Sequence, residues 1–472
     1  MLSINAICQD KLVFPLDRLN FKQFARILLP LMLLLAFVSV TGFIERRFLA
    51  AVSEEALAGS LNAFFLARVF QSACLAVTIV GQAFVGLYHG ANQDREIGPC
   101  VWQLIWFSIL STGFVVPLGF LAENLLFQDT ALATTESNYF YLLCTFNFLF
   151  PLASALSVFY MGRGLTRTIV FLTMGACLLT IGLDWALIFG WHFIPALGAT
   201  GAALGRVIPQ GILCLVLLSL FLSRSNRETY GTNLWRFSPK LFWHYIRPGI
   251  LRGLGAFPAL GDWVVVSRFM SLKSEAHLLV FTVGSTVFYF LTFLGDGLLQ
   301  TMVTMTSNQM GKKDYPKIWN SYFSGLVLLS IFAVLLVFPF FIFPQTFLEC
   351  FSSSAFYSQL APVFKQMSPW LWLAIIAYGL NTASLGLIVA ARDTLFLFWY
   401  YCGLWIFSFA PVYIAMNWLN WPADRFWLIV MGTNLTAFTA FLWRASKEKW
   451  KVERWQPEVL TSLENQHLLR KN

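Results

Sequence analysis

Apolar residues in this chain come in long unbroken runs separated by short polar stretches, rather than alternating with polar ones as in a half-buried strand. A helix needs ~20 mostly apolar residues to cross a bilayer. Twelve runs meet that requirement, at about Phe24–Phe48, Ala56–Leu87, Val101–Leu121, Tyr139–Tyr160, Thr168–Phe189, Ala202–Leu222, Trp243–Phe269, Leu278–Met305, Tyr322–Phe343, Val363–Ala390, Leu395–Asn417 and Phe426–Trp443. Spanning backbone must satisfy its own hydrogen bonds, which leaves helices or a closed barrel, and continuous apolar runs exclude the barrel. The pattern therefore predicts an all-α membrane protein with twelve transmembrane helices. The longest charged connector, 223–242, divides it into a cytoplasmic segment 1–23, a first lobe 24–222, a second lobe 243–443 and a cytoplasmic tail 444–472.

Composition agrees with that class. Of 472 residues, 58% are hydrophobic and only 12% charged, too few charges to cover a soluble protein of this size. The net charge of +9 does not call for a nucleic-acid partner. Its basic residues gather in loops on one face, among them Arg95, Arg163, Arg167, Arg224, Arg227, Lys312, Lys313, Lys317 and Arg392, while the other face receives Arg46, Arg47, Arg268, Lys273 and Arg425. By the positive-inside rule both termini and the connector are cytoplasmic. The eight cysteines are scattered without CxxC spacing, implying neither a metal site nor a disulfide framework.

The two halves also echo one another. RILLP then Glu45 matches YIRPG then Asp262; YHGANQD matches NQMGKKD; GRGLTRT matches AARDT. Matching orientation means a parallel repeat, two six-helix lobes related by a pseudo-two-fold axis along the membrane normal, enclosing a central cavity.

At these residues the chain resembles the MATE (multidrug and toxic compound extrusion) family. The segment LDWALIFGWHFIPALGATGAAL around Asp184 is similar to the family's fifth and sixth helices, EEALAGSLNA to its entry into the second, and the Gly-Ala-Asn turn at 90–92 to the turn after the second. The resemblance implies a secondary transporter that exports organic compounds, cationic or amphipathic, in exchange for H⁺ or Na⁺. Such a protein draws on an ion gradient and needs no cofactor. It also implies a monomer in the bacterial cytoplasmic (inner) membrane. The chain departs from the family's common residues at Glu45 (often Asp), Thr180 (often Asn) and Arg206 (commonly a small hydroxyl residue).

An ionisable side chain at mid-membrane costs about 2.5–3.5 kcal/mol on insertion scales, so those retained are expected to face the interior and pair. Glu45, Asp184, Asp262, Asp296, Arg68 and Arg206 all fall in apolar runs. Asp184 is expected to load a proton or Na⁺, or else to serve as a structural partner of a neighbouring charge. Glu45 is its companion carboxylate, or an interfacial partner of Arg46 or Arg47. Arg206 either approaches Asp184 and Glu45, taking the place of a coupling cation, or snorkels to a membrane face. Asp262 is a cation or substrate contact in the second lobe. Asp296, flanked by glycines, is either a further contact or a helix cap, and Arg68 is a buried counter-ion. Na⁺ at Glu45 and Asp184 is the one metal this reading admits.

The competing function is a flippase for a lipid-linked or polar precursor. It calls for several basic residues in the cavity, of which Arg68 and Arg206 are available. An enzyme is not supported: no paired metal ligands or activated nucleophile appear, and His89, His192, His244, His277 and His467 lie in loops or at span ends. GANQD and GKKD lack the Gly-Lys-Ser/Thr pattern of a phosphate cradle, and no charge ring suggests a channel.

Overall fold

The computed structural model describes residues 21–126, 133–191, 195–344 and 354–447. Residues 1–20, most of the tail with His467, and His192 lie outside the described residues. The chain winds into helices that follow the apolar runs. The first half comprises α1 (Phe21–Val52), α2 (Glu54–Ile79), α3 (Gly81–Gly90), α4 (Ile97–Leu126), α5 (Ala133–Thr145), α6 (Leu149–Met161), α7 (Thr166–Phe189) and α8 (Gly198–Phe221). After the short α9 (Arg224–Tyr230) come α10 (Pro239–Lys273), α11 (Glu275–Leu291), α12 (Phe293–Gly311), α13 (Tyr315–Leu335), α14 (Ser354–Ala390), α15 (Thr394–Phe407), α16 (Phe409–Tyr413) and α17 (Phe426–Ser446).

Among the described residues, eleven segments are long and apolar enough to cross a membrane. They coincide with the expected runs except the seventh, which falls on α10. That helix has 35 residues, roughly 50 Å at 1.5 Å per residue, ample to span. It carries Lys240, Arg247, Arg252, Asp262, Arg268 and Lys273 along its length.

Several spans are broken. The second bends at Val80 between α2 and α3, the eighth at Thr292 between α11 and α12, and the eleventh at Ser408 between α15 and α16. The halves start these spans alike. Ser53 accepts from the Ala56 N–H at 3.0 Å, and Ser274 accepts from the His277 N–H at 3.3 Å; each serine caps the helix that follows it. Four spans also end alike. At Asn92, Gly164, Lys313 and Arg392 the backbone turns left-handed (φ 58°, 77°, 57° and 57°). The N–H of each donates three residues back and the next N–H five back, the double bond pattern that closes a helix at a left-handed residue. The sequence echoes therefore correspond to one repeated turn.

The halves meet where α10 packs on α2 and α4, and where α12 packs on α1 and α3. Glycine makes this approach close. A Cβ on Gly249 would stand 2.7 Å from the Val77 backbone. One on Gly90 would stand 2.1 Å from the Asn308 carbonyl oxygen, and one on Gly311 2.2 Å from that of Leu87, a reciprocal contact of the two repeated turns. Around it, Gln82 Nε2 donates to the Gln300 carbonyl at 2.9 Å, and Asn308 Nδ2 to that of Gly162 at 2.7 Å. Tyr88 and Tyr245 join through their hydroxyls at 2.9 Å. At the end bearing Arg95 and Lys312, the halves are in backbone contact.

This contact is testable. In Gly311→Val, the inserted side chain should hold the two turns apart at a cost of about 1–3 kcal/mol, the range for overpacking. Spin labels replacing the exposed Arg95 and Lys317 should then report a longer distance than in the glycine-containing protein. An unchanged distance would mean that the halves tolerate the added bulk without separating.

Candidate functional site

The cluster begins with Glu45, an acid carried by α1 deep inside the protein, 2% exposed. A carboxylate so placed needs donors, and two elements supply them. Arg206 on α8 reaches it as a two-pronged fork, Nε to Oε1 at 2.9 Å and Nη2 to Oε2 at 2.5 Å. The Tyr139 hydroxyl on α5 donates to Oε1 at 3.1 Å. The guanidinium also lies over the Phe64 ring on α2, 4.5 Å from its centroid. Charge-assisted paired bonds of this kind are short and fix orientation. Arg206 thus turns inward to Glu45 and does not snorkel. Glu45 pairs with Arg206, while Arg46 and Arg47 remain exposed.

Asp184 on α7 completes the cluster without joining the pair. It is fully buried, and neither carboxylate oxygen has a hydrogen-bond partner. It lies within Coulombic range of Glu45 and Arg206. Gly205 makes the room for it, since a Cβ there would fall 1.9 Å from Oδ1. The residue next to Arg206 therefore cradles Asp184 while Arg206 itself serves Glu45. Thr180, one turn earlier, donates to the Ala176 carbonyl of its own helix at 3.0 Å and is not part of the cluster.

The second half arranges its charges differently. Asp262 on α10 accepts from Ser408 Oγ at 2.6 Å, at the break between α15 and α16. Its Oδ1 is buried without a partner. Asp296 on α12 accepts from the Tyr378 hydroxyl at 2.9 Å and lies within Coulombic range of both Arg68 and Arg252. Arg68 on α2 donates to Gln71 of its own helix at 3.0 Å. Tyr139, Ser408, Tyr378 and Arg252 were not singled out in the sequence. Of these, Arg252 carried a readable signal, a second arginine inside the apolar run that holds Asp262.

Helices that bury both acids and arginines against one another, around a contact between two similar halves, define a polytopic membrane protein. The MatE family model matches residues 261–419. Probable multidrug resistance proteins NorM are similar to the chain. That of Bacillus subtilis is 22% identical over 54% of this chain and 58% of its own length, so the chain spans less than two thirds of this relative. That of Bacillus thuringiensis is 19% identical over 88% and 92%. The fold matches the eukaryotic MATE transporter AtDTX14, with a TM-score of 0.77 and 16% identity over 91% of this chain and 96% of that one. It also matches a MOP superfamily transporter from Pyrococcus furiosus for which reverse polarity of the binding pocket suggests a different function, with a TM-score of 0.78 and 14% identity over 92% and 97%. The MatE match covers less than half of the chain, and the likeness to these solved structures shows a shared fold.

The Glu45–Arg206 pair makes a sharp stability prediction. Arg206→Ala strands Glu45 without its counter-charge and should destabilise the purified protein by about 3–5 kcal/mol, the cost of breaking a buried pair. The double variant Glu45→Gln with Arg206→Met should melt at a higher temperature than Arg206→Ala alone. Equal melting temperatures for the single and double variants would show that the pair contributes nothing specific.

Proposed function

We propose that this protein is a cation-coupled antiporter, exporting organic compounds across a bacterial inner membrane by alternating access, with H⁺ or Na⁺ entering in exchange. The observation that carries this reading is Asp184, a fully buried carboxylate with both oxygens unbonded. Such a group in a low-dielectric interior calls for a counter-charge, and a proton or Na⁺ is the charge that can come and go. Glu45 is already committed to Arg206, so loading falls to Asp184. The ion drives exchange by binding the two access states with different affinity. The backbone contact at Gly90 and Gly311 is a natural closed gate for one of those states. We assign the basic loops, both termini and this gate to the cytoplasm. The name carried by the NorM relatives, probable multidrug resistance protein, supports an organic substrate.

The test is export from proteoliposomes with the proton and sodium gradients collapsed separately. Asp184→Asn should remove gradient dependence while the protein still folds. Asp262→Asn should keep it, because the amide oxygen can still accept from Ser408. If Asp262→Asn alone uncouples export, the loading site lies in the second half and the assignment to Asp184 fails.

A further inference from the structure

Arg252 on α10 is the least satisfied cation in the described interior. It donates no hydrogen bond, and its buried Nη1 has no partner. Arg68 on α2 spends one donor on neutral Gln71. A guanidinium carries five N–H donors, so most of those on the two arginines are free. Both lie within Coulombic range of the single acid Asp296, yet neither forms an ion pair with it within 4 Å. Asp296 is held instead by the Tyr378 hydroxyl. Two guanidinium groups against one carboxylate leave a positive surplus.

The placement is also informative. Arg68 belongs to the first half and Arg252 to the second, on helices whose backbones close up where a Cβ on Gly253 would stand 2.9 Å from the Ala73 carbonyl oxygen. Arg68 is solvent-accessible on α2, which packs against α10. Tyr289 is 51% exposed and, with Tyr401, lies near Tyr378. An unpaired guanidinium in a membrane interior is costly, and an arriving anion relieves that cost. The planar fork of arginine suits oxyanions such as carboxylate, sulfonate or phosphate, and tyrosine rings suit an aromatic body beside one.

We propose that Arg68 and Arg252 form a substrate site at the junction of the halves that receives the oxyanion group of an organic anion. The site takes substrate only when the halves present both arginines, so its affinity changes with the access state. The assignment names the substrate class of the exporter proposed above and rests on that reading only for the word substrate.

Binding to the purified full-length protein in lipid nanodiscs, without any gradient, tests it separately from ion coupling. The probes are 2-naphthoate, its neutral isostere 2-naphthamide, and cationic 2-naphthylmethylammonium. Naphthoate should bind at least about tenfold more tightly than either of the others, a difference of about 1.4 kcal/mol. Arg252→Gln and Arg68→Gln should each erase that preference while leaving naphthamide binding as it was. If a Gln variant does not fold, the corresponding Lys variant should lose part of the preference, because a point charge replaces a fork. Equal or tighter binding of the ammonium probe overturns the proposal, as does an unchanged naphthoate affinity in the folded variants. Complete displacement of naphthoate by millimolar chloride overturns it as well, since the arginines would then hold an inorganic counter-ion. Naphthoate binding that survives while export proves independent of both ion gradients would leave this site standing and remove the coupling mechanism alone.

Discussion

The cost of an unpaired charge in hydrocarbon governs this structure. Each acid and arginine placed deep in a span either has found a partner or has been left short of one at a particular place. Glu45 is met by a guanidinium fork and a tyrosine hydroxyl, so it behaves as a structural tie between α1, α5 and α8. Asp262 is met by the Ser408 hydroxyl at a helix break. These two acids stabilise the frame. Among the described charged groups, Asp184 has neither oxygen bonded and Arg252 has an unpartnered Nη1, one negative in the first half and one positive in the second, while Asp262 keeps one oxygen free.

The junction of the halves obeys a steric constraint as strict as the electrostatic one. Gly90 and Gly311 allow two repeated turns to approach until the backbone of each touches the other, and Gln82 and Asn308 add hydrogen bonds across the seam. Contact of this kind is nearly all-or-none: a close-packed interface either fits or parts, with little stable ground between. A pair of similar halves joined in this way has the discrete states that alternating access needs.

The fold was legible because its cause is one-dimensional. Apolar runs set the spans, and glycines with polar residues set the turns, so the echo of GRGLTRT in AARDT already pointed to the left-handed turns at Gly164 and Arg392. Hydropathy was weakest at α10, where charges that serve tertiary contacts interrupt the apolar face. The site was legible in its members but only partly in its pairing. Asp184 and Arg206 stand out as charges in apolar runs. Which acid Arg206 meets depends on the rotation of α8 against α1 and α7, and the Cβ-free Gly205 settles it by giving Asp184 the adjoining space. Arg252 shows the other limit. Its significance lies in Asp296, which comes within range of it from another helix and of Arg68 from the opposite half. Sequence spacing carries no record of that meeting.

The fixed arginine at Glu45 changes how an antiporter of this design would work. Where two carboxylates share a site, one added cation serves both and their repulsion tunes its release. Here Arg206 supplies a permanent charge to one of them, so that on the proposed reading a single acid is left to load. A lone site can shift a two-state equilibrium only by the ratio of its affinities in the two states. Moving from 1:99 to 99:1 takes a ratio of about 10⁴. The free carboxylate, enclosed here with no donor in reach, has the means to achieve a large ratio: opening its surroundings to water in the other state would supply the solvation it lacks. Coupling by this route depends on how completely Asp184 is enclosed in one state and wetted in the other. Gly205 matters for that reason, because its missing side chain sets the size of the enclosure.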